Sequence, residues 1–436
     1  MNLTINSDRL LSELYHLARL TDCPPTQDKS LPEPTEAVTR IVFTPRDLEA
    51  RAWLTALAEA AGFTVRADAV GNTFLRWQGT DESLGAVGTG SHTDAIPHAG
   101  MYDGTVGVLG GLEAMRALKE SGFTPKRSIE TLMFTSEEPT RFGIGCIGSR
   151  LLGGVIDADE ADKLLDRLPE TDPNAPVGLT LASVREAAGF SGSLVSVKLT
   201  PGYYDAWVEL HIEQGPLLER EGIQLGIVTG IAAPASFRYT VEGFGGHAGA
   251  LLMPYRRDAL CAAAEMILSV EKHALAANAT SGGVDTVATV GMVGVHPGAV
   301  NSVPSRVTLT LDIRDTDVAR RDGVMAAFHA DIAAIEQRRN VKISEETINA
   351  DAPAKSSEHI VDTLEAICKA EGASYKKMVS RAYHDSSFMA TVAPIAMIFI
   401  PCRNGVSHRP DEYSTPESIT LGTRVLALAL AKLANE

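Results

Sequence analysis

Residues 84–114, LGAVGTGSHTDAIPHAGMYDGTVGVLGGLEA, decide the fold class. The first nine are small or apolar and end in Ser91–His92, which reads as a short buried strand with a polar terminus. A loop containing Gly and Pro follows and carries Asp103. Val108, Leu112, Met115 and Leu118 then recur at helical spacing. IETLMFT (129–135) repeats the device and runs into Ser136–Glu137–Glu138, and AWVELHIEQG (206–215) does so again. Strand and helix alternate, and polar side chains collect at strand C-termini, where open α/β sheets place their ligands.

Outward from this stretch, the N-terminal side is mainly helical. Leu10, Leu11, Leu14 and Leu17 share a helix face, Pro24, Pro25, Pro32 and Pro34 mark a loop, and residues 46–61 form a second helix. FTVRADAVGNTFLRW (63–77) alternates as a hairpin. On the C-terminal side the order becomes strand 236–243, helix 257–276, strands 285–295 and 306–315, helix 317–338 and strand 340–348. That β-α-β-β-α-β order is the split βαβ, ferredoxin-like pattern. The α/β pattern then resumes with helix 357–371, strand 393–401 and helix 418–434. The expected organisation is a catalytic α/β domain over 1–213 and 340–436, interrupted by an α+β insert over 214–339.

Composition narrows the function classes. Basic residues number 39 and acidic residues 55, a net charge of −16, which disfavours nucleic acid and anionic membranes as partners. No apolar run reaches the roughly 18 residues of a membrane span. The N-terminus lacks the basic and apolar regions of a signal peptide. Five scattered cysteines without a CxxC pair fit a reducing compartment, and the expected location is the cytoplasm.

Five residues at strand ends or in Gly/Pro-rich loops suit a metal: His92, Asp103, Glu138, His211 and His408. Each also has an ordinary reading. Asp103 could be a helix N-cap, His92 and His211 polar strand ends, and Glu137–Glu138 a solvated pair. Together, three imidazoles and two carboxylates exceed one tetrahedral ion and suit two ions sharing a carboxylate. A two-metal site polarises a carbonyl and supplies hydroxide near neutral pH. Glu137, beside Glu138, is then the natural general base.

GSHTDAIP, YDGTVGVLGGLEA, TSEEPTRFG, GSRLL, HIEQGPLLE and SHRPDEY resemble the amidohydrolases that cleave N-carbamoyl-L-amino acids, allantoate and ureidoglycolate. These belong to the di-metal aminoacylases and carboxypeptidases. GGHAGALLMP and AYHDS narrow the resemblance to the ureidoglycolate amidohydrolase branch. It extends from about residue 40 to the end.

The resemblance implies a carboxypeptidase-like catalytic domain, an inserted dimerisation (lid) domain and a homodimer. It implies Mn²⁺ as the favoured metal, with Zn²⁺ acceptable, two ions per subunit. His92 and Glu138 would fall on opposite ions bridged by Asp103, with His211 on one and His408 on the other. Glu137 would be the base, and His247 would reach the partner's site to stabilise an oxyanion. Gln214, Asn301, Arg314, Tyr383 and His384 would contact substrate. Carbamoyl-amino-acid relatives usually carry a small residue where Tyr383 stands. The implied activity is hydrolysis of the ureido C–N bond of (S)-ureidoglycolate to glyoxylate, ammonia and carbon dioxide, in purine or allantoin nitrogen recovery. The nearest alternative is an N-carbamoyl-L-amino-acid or allantoate hydrolase. An aminoacylase or dipeptidase fits the narrowing motifs less well. A binding protein that has lost chemistry would not need all five ligands and Glu137.

Overall fold

The structure, a computed structural model, describes residues 3–23, 37–170 and 175–436 of the 436-residue chain. The proline loop expected at Pro24–Pro34 lies outside the described residues. The chain divides into two compact units. One comprises Met1–Thr229, Lys355–Met378 and His384–Glu436, and the other Gly230–Ala354 with Val379–Tyr383.

The boundaries expected at 214 and 339 therefore shift. Strand Leu225–Ile231 pairs antiparallel with Ile395–Ile400 and extends the catalytic sheet. Strand Lys342–Ala350 pairs with Ala233–Glu242 and completes the insert. The second strand is the last element of the expected β-α-β-β-α-β order, which the boundary at 339 cut off, whereas nothing in the local pattern of Leu225–Ile231 says which sheet it joins.

Among the described residues the catalytic sheet has nine strands. At its centre Ile395–Ile400, Tyr204–Ile212, Ala86–His92 and Ile129–Phe134 lie side by side and parallel. Three of these are buried at every position, as parallel strands covered on both faces must be. The hairpin Thr64–Ala67 and Thr73–Trp77 forms as expected and adds antiparallel strands on one side. Because the central strands are parallel and in register, His92 lies beside Phe134 and His211 beside Phe399. Their C-terminal ends thus open at the same edge. That register is what brings residues distant in sequence to one place.

Helix Thr105–Glu120 is buried through Leu118. Its buried Glu113 receives the Arg9 guanidinium at 2.7 Å and the Asn6 amide at 2.9 Å, tying helix Ser7–Arg19 to the core. The insert is a four-stranded antiparallel sheet in the order Val287–His296, Arg306–Asp315, Ala233–Glu242, Lys342–Ala350. Helices Ala259–Ser281 and Val318–Arg339 supply its apolar core, including Met266, Val270, Val324 and Phe328. This is the split-βαβ arrangement read from the sequence.

A buried ion pair steadies the approach to Glu137. Arg51 donates to Asp47 at 2.8 Å, to the Gly71 carbonyl at 2.9 Å and to the Thr135 hydroxyl at 3.3 Å. Arg51→Met leaves Asp47 buried without its cation. We expect a loss of about 3–5 kcal/mol, read as a lower melting temperature. A variant that melts with the wild type would contradict this.

Candidate active site

The five candidate ligands all belong to the first unit and converge. Asp103 stands between two groups. Its Oδ1 lies 3.7 Å from His92 Nε2 and 3.2 Å from His211 Nε2. Its Oδ2 lies 3.1 Å from His408 Nε2, and that ring is 3.5 Å from Glu138 Oε1. Two ligand triads result, His92–Asp103–His211 and Asp103–Glu138–His408, and they share one carboxylate. The helix-cap reading of Asp103 fails, since the N-cap is Gly104, at φ 66°, and it makes no side-chain cap. Gly104 is required here twice over, because a Cβ would also stand 2.5 Å from the His92 ring.

Local hydrogen bonds set the imidazole tautomers. His92 Nδ1 lies 2.9 Å from the Asp94 carbonyl and His211 Nδ1 2.9 Å from the Ile212 carbonyl. A carbonyl only accepts, so each Nδ1 carries a proton and each Nε2 is the ring nitrogen turned toward the ligand cluster. The Gly104 amide donates to His211 Nε2 at 3.2 Å, in keeping with that assignment. Ser136, Gln214 and His408 all adopt positive φ, at 57°, 53° and 59°. Such non-glycine conformations gather where a site demands them.

The electrostatics ask for cations. Burial pushes the Glu137 and Glu138 carboxyls up, and neighbouring carboxylates push them further. Burial lowers the His92 pKa, but Glu137, Asp103 and Asp94 outweigh it and hold the ring well above its ordinary value. His408, half exposed, is raised to about 9, chiefly by its contact with Asp103. Divalent ions among these groups would relieve the crowded carboxylates and engage the ring Nε2 atoms. The donor set therefore fits two such ions.

Glu137 is largely buried, with Oε2 3.7 Å from His92 Nε2 and Oε1 accepting from the Cys146 thiol at 3.4 Å. Gln214 Nε2 donates to Asp103 Oδ2 at 2.8 Å, which places its amide in the ligand cluster. His384 is buried edge-on against His211, ring centroids 4.5 Å apart, so it too borders the ligands.

The remaining expected site residues lie in the insert. His247 and Asn301 are neighbours: strand Gly246–His247 pairs with Ser302–Val303, and the Ala248 amide donates to the Asn301 carbonyl at 2.8 Å. Both are exposed. Arg314 is engaged with Asp312 at 2.8 Å, the ordinary salt bridge. Tyr383 donates to Asp351 at 2.7 Å.

Two carboxylates escaped the sequence reading. Asp94 accepts from the Glu137 and Glu138 amides, at 3.3 and 3.1 Å, and orients both residues. Glu412 accepts from the Tyr102 and Asp103 amides, at 2.9 and 3.0 Å, and from Ser407 at 2.7 Å. Each sits within four residues of a candidate ligand, a spacing that could have flagged it.

Together the fold and the ligand arrangement define a metal-dependent hydrolase. The chain belongs to peptidase family M20/M25/M40, whose profile matches residues 88–432. It is 49% identical over 433 residues to a ureidoglycolate hydrolase of Oryza sativa subsp. japonica, covering 98% of this chain and 85% of that protein. It is 37% identical over 404 residues to an N-carbamoyl-L-amino acid amidohydrolase of Geobacillus stearothermophilus, covering 92% and 95%. The crystal structure of AtUAH in complex with glyoxylate matches with a TM-score of 0.83 at 46% identity, over 99% of this chain and 98% of that one. Among the described residues, no helix is long and apolar enough to cross a membrane.

Asp94→Asn retains the shape but sets an amide against the Glu137 and Glu138 N–H groups. We expect metal affinity or kcat/KM to fall about 10–100-fold, followed by metal titration and initial rates. Unchanged values would mean that the backbone holds the two glutamates unaided.

Proposed function

We propose that this protein hydrolyses the ureido C–N bond of (S)-ureidoglycolate, releasing ammonia, carbon dioxide and an unstable hydroxyglycine that collapses to glyoxylate and a second ammonia. Purine or allantoin nitrogen recovery is the setting, and the cytoplasm the location. The observation that carries this reading is the 49% identity to a ureidoglycolate hydrolase over nearly the whole chain, joined to a complete set of ligands and base. The 37% identity to a carbamoyl-amino-acid hydrolase keeps that activity as the second reading.

His92 and His211 would hold one ion, His408 and Glu138 the other, and Asp103 both. Mn²⁺ is the proposed metal, with Zn²⁺ a workable substitute for the same N/O donors. Ions held there would supply Lewis acidity toward the ureido carbonyl and a hydroxide nucleophile near neutral pH. Glu137 takes the proton of the attacking water and returns it to the leaving nitrogen. The Gln214 amide steadies Asp103 and turns its carbonyl oxygen, which has no hydrogen-bond partner among the described residues, toward a ureido N–H. Arg314 would exchange Asp312 for the substrate carboxylate, which its fork can grip bidentately. His384, Asn301 and Tyr383 complete the substrate contacts, Tyr383 through the substrate hydroxyl.

A homodimer through the insert is part of the proposal. Strand Val287–His296 is an edge strand in the insert's sheet, and Met292, Val293 and Val295 on it are exposed. Such an edge pairs readily with a second copy. His247 of one subunit would then serve the other's site.

Chelation should abolish activity and Mn²⁺ should restore it, with kcat/KM for ureidoglycolate at least about 10²-fold above N-carbamoyl-alanine. Full activity after exhaustive chelation, or faster turnover of N-carbamoyl-alanine, would reject the reading. The trans arrangement has its own test. Glu137→Gln should cost about 10²–10⁴-fold in kcat and keep the metals, and His247→Ala should also be nearly inactive. Mixed and allowed to exchange subunits, the two should regain part of the activity. A monomer in solution, or no recovery after confirmed exchange, would refute it.

A further inference from the structure

In the proposed site the Tyr383 phenol meets the substrate hydroxyl, and the insert sets the direction of that hydrogen bond. Tyr383 donates to Asp351 Oδ2 at 2.7 Å, and the same oxygen receives Asn349 Nδ2 at 3.1 Å. Asp351 is itself held at both backbone ends. Its amide donates to the Pro234 carbonyl at 3.3 Å, and its carbonyl accepts from the buried Arg321 guanidinium at 2.9 Å. Just upstream, the register of strand Lys342–Ala350 shifts between Thr347 and Asn349. A bulge of this kind re-aims the side chains beyond it.

An ionised carboxylate can only accept, and a phenol has one hydrogen. With that hydrogen directed at Asp351, the Tyr383 oxygen offers lone pairs alone to any further partner. A free phenol could rotate and serve as donor or acceptor. We propose that Asp351 is a positioning residue for substrate selection, orienting the Tyr383 phenol as an obligate acceptor so that the site favours ureido acids bearing a hydroxyl on the carbon next to the carboxylate. This rests on the ureidoglycolate reading. A hydroxyl at that carbon donates to the phenol oxygen, whereas the hydrogen of N-carbamoylglycine or the methyl of N-carbamoyl-alanine does not. Asn349 shares the carboxylate and helps to keep it aimed.

The test compares wild type, Asp351→Asn, Tyr383→Phe and the double variant on (S)-ureidoglycolate and N-carbamoylglycine, which differ only in that hydroxyl. Asparagine is isosteric with aspartate but carries its own N–H donors, so the phenol loses its fixed direction. We expect Asp351→Asn to lower kcat/KM for ureidoglycolate about 10-fold, the effect of one charge-assisted hydrogen bond, and to leave N-carbamoylglycine within about 3-fold. Tyr383→Phe should lose at least as much on ureidoglycolate, and the double variant no more than Tyr383→Phe alone, since both changes remove one device. Where N-carbamoylglycine turns over too slowly to measure, its inhibition constant against ureidoglycolate replaces the rate. Equal losses on both compounds, no loss, or additive losses in the double variant would overturn the role of Asp351 while leaving the ureidoglycolate reading intact. A wild type that prefers N-carbamoylglycine would overturn both.

Discussion

Asp103 offers two oxygens in two directions, and much of the catalytic unit is arranged around that geometry. One oxygen faces His92 and His211, the other His408. A carboxylate so placed must be kept from rotating. Glu412 accepts from the backbone amide of Asp103 and from that of Tyr102 before it, and the Gln214 side-chain amide donates to Asp103 Oδ2. The glycine that follows lets the chain turn past His92 with no side chain in the way. Helix Thr105–Glu120 begins at once and is buried nearly throughout, so the loop inherits the rigidity of the core.

The parallel register of the central strands does the remaining assembly. His92, the Glu137–Glu138 pair, His211 and the loop to His408 all leave the sheet at the same edge. This much was legible in the sequence, because the chemistry was written as a repeated local device: an apolar strand ending in polar residues. The split-βαβ insert was legible for a similar reason, since its order of periodicities is distinctive. Its limits were not. Lys342–Ala350 closes that order, but Leu225–Ile231 has an ordinary strand pattern, and only pairing decides its sheet.

The positioning carboxylates were less visible still. Asp94 and Glu412 bind backbone amides, and only their closeness to His92 and His408 along the chain marks them. The Tyr383–Asp351 hydrogen bond joins residues 32 positions apart. Arg314 shows the converse. The sequence offered both a substrate contact and a salt bridge, and the structure holds it on Asp312. In each of these cases the deciding information is a side-chain direction, which no linear pattern carries.

The candidate ligands enter the site from points between residues 92 and 408, and no two are neighbours along the chain. An unfolded chain therefore has no means of presenting them together. By mass action, any ion that binds the native arrangement alone must also hold the chain in it, by about 4 kcal/mol when its concentration is a thousand times its dissociation constant. Metal supply would then govern how much of the protein survives proteolysis and heat in the cell. Starvation for the ion would thin the population of molecules before it slowed those that remained.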